Sequence, residues 1–164
     1  MGNHIFAKAR KQVSRWIYSN GFFRAIAERI GGETIAPEAP IGRRGEQAAA
    51  LFLKKLGYRI LAYSHRQRLG EIDLIALDVD CLVFVEVKTW QSDVIADPSE
   101  AVDARKQEKL TRAALIYLKQ KKLLARPARF DVISVVWPER LSEPEKITHY
   151  IDAFEAIGSG QMYR

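Results

Sequence analysis

The chain has 164 residues, of which 48% are hydrophobic and 28% charged, with one cysteine and a formal net charge of +6. This length suits one domain with a real core and is short for two, and the lone cysteine excludes a disulfide framework and a cysteine-based zinc site. No apolar run is long enough to span a bilayer, and the N-terminus lacks the apolar segment of a secretory signal, so we expect a cytoplasmic protein.

The positive charge is concentrated near the N-terminus. Residues 1–44 hold eight Lys or Arg and three Asp or Glu, whereas residues 45–164 hold eighteen and seventeen. The isoelectric point of the whole chain is therefore weak evidence for nucleic-acid binding by the larger part.

The first predicted elements are two short helices within residues 4–31, with a break near Asn20-Gly21. A linker with two prolines follows, and we place a domain boundary near residue 41. Residues 1–41 are then a basic helical extension, residues 42–155 a domain and residues 156–164 a tail. The extension would grip DNA, lie on anionic lipid or dock a partner; an organellar transit peptide ranks last among these interpretations.

The next predicted elements are a helix and a strand meander. The helix runs from about Arg43 to Leu56 and ends at Gly57. Strands are predicted at about 58–65, 70–78 and 81–89, with a turn at residues 78–80 between the last two.

A second helix has a clear start signal. Asp97 is the expected N-cap, Pro98 occupies N1 and Glu100 completes a capping box, and the helix continues to about Lys122. Strands at 129–137 and 146–151 follow. The order helix, three-strand meander, helix, strand predicts an α/β domain with a mixed sheet.

Charged side chains interrupt two otherwise apolar strands. Asp73 lies in GEIDLIA, and Glu86 and Lys88 lie in VFVEVK. Side chains alternate between the faces of a strand, so Glu86 and Lys88 share a face. In a hairpin Asp73 would approach Glu86, where two like charges repel unless a cation lies between them.

Carboxylates in this arrangement suit Mg²⁺ or Mn²⁺. Asp73 and Glu86 would hold the ion, with the backbone carbonyl of Val87 as a third ligand. Lys88 would orient the attacking water or stabilise charge in the transition state of phosphodiester hydrolysis. The alternative is an ordinary ion pair of Lys88 with Glu86 or Asp73 on a solvated sheet face.

Four further charged residues are candidates for the same cleft. Glu46 lies on the inward stripe of the first helix, although a first-turn acid that complements the helix dipole is the alternative. Lys106 would contact a phosphate or extend to the surface. Arg66 and Arg68 would contact phosphates at the cleft mouth or lie in a solvated loop.

These motifs, with GRRGEQAAALFLKKLGYRIL ahead of them, resemble the small bacterial YraN-like proteins. By resemblance these belong to the PD-(D/E)XK nuclease superfamily, near the archaeal Holliday junction resolvases. The resemblance covers residues 42–155 and implies a restriction-endonuclease-like fold. It assigns the catalytic acids to Asp73 and Glu86, the catalytic lysine to Lys88 and the helical glutamate to Glu46.

The chain also departs from the family pattern. Trp90 stands where related sequences usually carry a basic residue, and His65 and Arg66 replace the usual NxR. These changes would alter contact with the substrate and leave the metal site intact.

Three functional hypotheses follow. The leading one is a Mg²⁺- or Mn²⁺-dependent endonuclease-like protein that acts on branched or flap DNA, with a homodimer expected by resemblance to junction resolvases. The second is a nucleic-acid-binding module that keeps the fold without turnover. The third is an interaction protein that its N-terminal helices target to a membrane or a partner.

Overall fold

The computed structural model describes residues 12–17, 38–67, 70–91 and 102–158. Its elements in chain order are β1 (Gln12–Ile17), α1 (Ile41–Lys55), β2 (Arg59–Gln67), β3 (Gly70–Asp78), β4 (Cys81–Trp90), α2 (Ala104–Gln120), β5 (Ala128–Val136) and β6 (Lys146–Phe154). In this part of the chain no helix is both long and apolar enough to cross a membrane.

The strands form one mixed sheet in the order β1-β6-β5-β4-β3-β2. β2, β3 and β4 make an antiparallel meander, in which Val79 takes a positive φ of 55° at the β3–β4 turn. β5 runs parallel to β4 because α2 carries the chain back across the sheet, and β6 returns antiparallel. The predicted mixed α/β fold is therefore confirmed for β2–β6 and the two helices.

The two helices cover opposite faces of the sheet. Phe52 and Leu53 of α1 pack in one core cluster with Val83 and Val85 of β4. Leu110, Ala114 and Leu118 of α2 pack in the other cluster with Phe84 and Phe130. Alternate residues of β4 therefore face different helices, and Glu86 and Lys88 lie on the α2 face.

The start of α2 differs from the prediction. Asp103, not Asp97, is the N-cap, and its carboxylate accepts the backbone N–H of Lys106 at 2.7 Å. Both aspartates carry a capping signal, but the backbone at Asp103 is extended, so the helix cannot continue N-terminally through it. The prediction of one helix from Asp97 to Lys122 is wrong.

The predicted N-terminal helices are also wrong where the structure describes the segment. Residues 12–17 form β1, which pairs antiparallel with β6 from Gln12↔Ile151 to Ile17↔Lys146. The backbone groups of β6 would otherwise lie at the edge of the sheet, and pairing with β1 satisfies them. The rest of the predicted helical segment lies outside the described residues.

A network of buried hydrogen bonds and ion pairs connects three strands of the sheet. The fully buried Asp131 accepts hydrogen bonds from Arg129 Nε at 3.0 Å and from the backbone N–H of Asp152 at 2.9 Å, and its Oδ2 lies 2.8 Å from His149 Nε2. Arg129 also donates to Asp78 Oδ2 at 2.9 Å. The network links β3, β5 and β6, and His149 takes part in it as a fully buried residue.

Candidate active site

The site begins where the β3–β4 ladder ends. The ladder runs from Asp78↔Cys81 to Leu74↔Val85, and Asp73 and Glu86 are the next residues of the two strands. Asp73 Oδ2 accepts the backbone N–H of Val87 at 2.7 Å, so a carboxylate takes the place of a strand carbonyl. The structure therefore brings the carboxyl of Asp73 against the segment of β4 that carries Glu86 and Val87, close enough for the charge of Glu86 to act on it.

Glu86 is a buried carboxylate held by two lysines. It is 3% exposed, and its Oε1 lies 3.0 Å from Lys88 Nζ and 3.0 Å from Lys106 Nζ. Its Oε2 is also buried and has no hydrogen-bond partner among the described residues. The ion pair of Lys88 with Glu86 is thus present, as the alternative interpretation expects. Glu86 is buried, however, so this pair does not lie on a solvated sheet face.

The cap of α2 sets the position of Lys106. The backbone N–H of Lys106 donates to Asp103 Oδ1, which fixes the first turn of the helix over the sheet. From there the side chain reaches across to Glu86. Lys106 therefore belongs to the site, and its ammonium is bound to a buried carboxylate.

The surroundings of Asp73 disfavour its ionised form. Burial, followed by the charges of Glu86 and then Glu46, raises the pKa of Asp73 to about 7, against the opposing effects of the Val87 N–H and Lys106. A carboxyl in this state is stabilised by any added cation. A cation bound here would lower that pKa again and hold the carboxyl in its ionised form.

Glu46 lies near Asp73, since its charge contributes to the raised pKa of that carboxyl, and the preceding residue of α1 lies close to β4. A Cβ on Gly45 would collide with Thr89 Oγ1, so the glycine allows this approach. Glu46 is the sixth residue of α1, and the first turn of α1 contains no acid. The interpretation of Glu46 as a first-turn acid is therefore wrong.

The available donors fit a hard divalent cation. Carboxylate oxygens of Asp73 and Glu86 are the ligands that Mg²⁺ and Mn²⁺ prefer. The N–H and C=O of one strand residue point to the same neighbouring strand, so the Val87 carbonyl lies on the Asp73 side. Within the described residues, no group of three or more His, Cys, Asp or Glu side chains is arranged so that it could hold a metal ion by itself. An ion here would complete its shell with water or substrate oxygens.

Two predicted phosphate ligands remain predictions. Arg66 lies in β2 opposite Glu71 of β3, and Arg68 lies outside the described residues.

Ser134 is a residue that the sequence analysis missed. It lies opposite Lys88 in the parallel β4–β5 ladder, and its buried hydroxyl has no partner in the described part of the chain. The available signal was a lone hydroxyl inside the apolar run VISVV.

Comparison with known proteins places this geometry in a family. Residues 45–135 match the Uncharacterised protein family UPF0102. The chain belongs to the UPF0102 family. The matched residues run from Gly45 in α1 to Val135 in β5, so they include every residue of the site described above.

Three relatives illustrate the extent of the similarity. A UPF0102 protein of Rhodopirellula baltica is 43% identical over 166 residues, which cover 99% of each chain. One from Symbiobacterium thermophilum is 53% identical over 95 residues, 58% of this chain and 80% of the relative. One from Caldanaerobacter subterraneus is 44% identical over 115 residues, 70% and 93% of the two chains. The similarity to the Rhodopirellula protein thus extends through the N-terminal basic segment.

Proposed function

We propose that this UPF0102 protein is a metal-dependent endonuclease of the PD-(D/E)XK type that hydrolyses phosphodiester bonds in branched or flap DNA. The observation that carries the proposal is the buried Glu86 shared by two lysines, directly opposite an aspartate whose pKa is raised to about 7. A structural ion pair of Glu86 with the two lysines does not require a second carboxylate, Asp73, beside it.

Each side chain has a role in this chemistry. Asp73 and Glu86 would hold Mg²⁺ or Mn²⁺, which supplies polarisation of the scissile phosphate and a lowered pKa of the attacking water. Lys88 orients that water and offers positive charge to the phosphate oxygens. Lys106 adds a second positive charge from α2, and Glu46 orders the water shell at the edge of the site.

The class of substrate rests on the resemblance to junction resolvases. Such enzymes cut two strands and need two sites, so we propose a homodimer. We place the protein in the cytoplasm, where a bacterial chromosome lies.

The test is cleavage of a panel of branched, flap and single-stranded DNAs in Mg²⁺ or Mn²⁺. We expect Asp73→Ala and Glu86→Gln each to lower the cleavage rate at least about a hundredfold. The matched control is Asp80→Ala, an exposed acid in the β3–β4 turn, which should cleave like the wild type. Intact DNA across the whole panel in both metals would refute the enzymatic proposal.

A second candidate function is DNA binding without turnover. The near balance of charge in residues 45–164 and Trp90 in place of a basic residue favour it. Steeply salt-dependent gel shifts with no product after long incubation would support it. Replacing Lys8, Arg10 and Lys11 with glutamine tests the N-terminal contribution and leaves β1 in place, whereas truncation before residue 42 would remove β1.

A further inference from the structure

Ser134 is the single polar side chain in the run from Val132 to Val136. It is 2% exposed, and its Oγ has no hydrogen-bond partner among the described residues. A buried hydroxyl without a partner costs folding free energy that an alanine would not cost. Packing alone therefore does not account for a serine at this position.

The register places Ser134 beside the site. Lys88↔Ser134 is a pair in the parallel β4–β5 ladder, and paired residues of neighbouring strands project from the same face, with the strands about 4.8 Å apart. Glu86 precedes Lys88 on that face. The hydroxyl is therefore a free acceptor next to the stem of Lys88.

Binding of a cation changes what Lys88 can contact. Both ammonium groups now lie 3.0 Å from Glu86 Oε1. A divalent cation on Glu86 would repel both and take their acceptor. Both lysines are partly exposed, Lys88 at 30% and Lys106 at 35%, but Lys106 is on a separate element and has no place in the β4–β5 ladder. Lys88 is fixed on β4, and Ser134 is the adjacent buried acceptor.

We propose that Ser134 is a positioning residue for Lys88. Its hydroxyl accepts a hydrogen bond from the Lys88 ammonium when a divalent cation occupies the carboxylates, and this bond aims the lysine at the scissile phosphate. The inference rests on the proposed function of the same site.

The first test compares Ser134→Ala with the wild type. We expect Ser134→Ala to unfold at the same or a higher temperature, because an unpaired hydroxyl is removed, and to lower kcat about tenfold, the value of one net hydrogen bond. KM for DNA should not change. Ser134→Thr keeps the hydroxyl and should recover most of kcat. Thr148→Ala removes the hydroxyl opposite Ser134 on β6, one strand further from Lys88, and should leave kcat unchanged.

The second test does not depend on cleavage. In protein labelled with ¹⁵N-lysine, the Lys88 ammonium signal is assigned by its loss in Lys88→Arg. Without metal it should be present in both wild type and Ser134→Ala; with Mg²⁺ it should move but persist in the wild type and disappear in Ser134→Ala, through exchange with water.

The outcomes separate this inference from the proposed function. Identical Mg²⁺ responses in the two proteins, or an unchanged kcat in Ser134→Ala, would overturn the role of Ser134. A wild-type spectrum indifferent to Mg²⁺ would overturn it together with the metal site. A signal that depends on Ser134 in Mg²⁺, without cleavage of any DNA, would support the role of Ser134 and refute the enzymatic proposal alone.

Discussion

At Asp73, burial and the neighbouring charges of Glu86 and Glu46 raise the pKa to about 7, so the fold carries an ionised carboxylate there at a cost. The folded state binds the proton more tightly than the unfolded chain, whose aspartate has a pKa of about 3.9. Stability therefore falls as the pH rises from about 4 to about 7 and then stays level. If Asp73 had a purely structural role, a neutral residue in its place would make the protein more stable at neutral pH.

The first stability prediction concerns Asp73→Asn. The amide oxygen still accepts the Val87 N–H, while the charge is gone. We expect the free energy of unfolding in urea to exceed that of the wild type by about 1–3 kcal/mol at pH 8, and the difference to vanish near pH 4. The same difference at both pH values would contradict a raised pKa at Asp73.

Some of the site was predictable at this scale, and some was not. Asp73, Glu86 and Lys88 stand out because charge is rare inside apolar strands. The contact between Lys106 and Glu86 depends on where α2 begins, and the capping signal at Asp97 placed that start too early in the chain. Ser134 carries no signal beyond a single hydroxyl, and only the β4–β5 register reveals its neighbour.

At the scale of elements, the site depends on how closely each helix approaches the sheet. α1 comes close at Gly45, where any side chain would meet Thr89. α2 is fixed by the Asp103 cap. Both constraints are local, so each can be removed with a single substitution.

The prediction for α1 is a loss of stability in Gly45→Ala. The added methyl overpacks against Thr89, which costs about 1–3 kcal/mol, and Thr89→Ala in the same chain should recover part of it. Gly42→Ala is the matched control, because a Cβ there meets nothing within 4 Å; it should stabilise α1 by about 0.5–1 kcal/mol. Equal effects of the two alanines in thermal unfolding would count against the close approach.

The prediction for α2 concerns Asp103→Ala. Loss of the cap should cost about 1 kcal/mol, and freeing the first turn should also loosen Lys106 from Glu86. Glu108→Ala on the same helix breaks an exposed pair with Arg112 and should cost about 0.5 kcal/mol or less. The affinity for Mg²⁺, measured by calorimetry, should change in Asp103→Ala and not in Glu108→Ala. An unchanged affinity in both variants would show that the Asp103 cap does not influence the site.

At the scale of the whole molecule, the Asp131 network connects β5, β6 and the β3–β4 hairpin. Burial alone would raise the pKa of Asp131, but hydrogen bonds and charge from His149 and Arg129 outweigh burial and lower it. A lowered pKa gives stability that is present above about pH 4 and is lost as the pH falls through the folded value. Protonation of Asp131 should therefore lower the stability of this protein in acid.

Asp131→Asn tests the network. It leaves Arg129 with the partly exposed Asp78 as its remaining counter-charge, so unfolding in urea at pH 7 should require about 3 kcal/mol less. The deficit relative to the wild type should shrink as the pH falls below about 4. Asp80→Asn, in the exposed turn, should change stability by less than about 0.5 kcal/mol, and a comparable deficit there would show that the effect is not specific to the network.

The order and type of the elements from α1 to β6 were predictable because apolar runs and turn residues alternate clearly in residues 41–154. β1 was not, because its residues QVSRWI fit a helical spacing and gain their strand conformation only from the edge of β6. The bond between Asp131 and His149 joins residues 18 positions apart, which sequence spacing does not reveal.

The placement of β6 and β1 beyond the family-matched stretch has a practical consequence. A fragment of residues 45–135 alone would end within β5, a strand that is buried along almost its whole length. Without β6, the backbone N–H and C=O groups along one edge of this apolar strand would be unpaired. We expect such fragments to pair with one another through this edge and to aggregate. The stretch that matches the family is thus shorter than the stretch that should be expressed, which needs to include β6 (Lys146–Phe154).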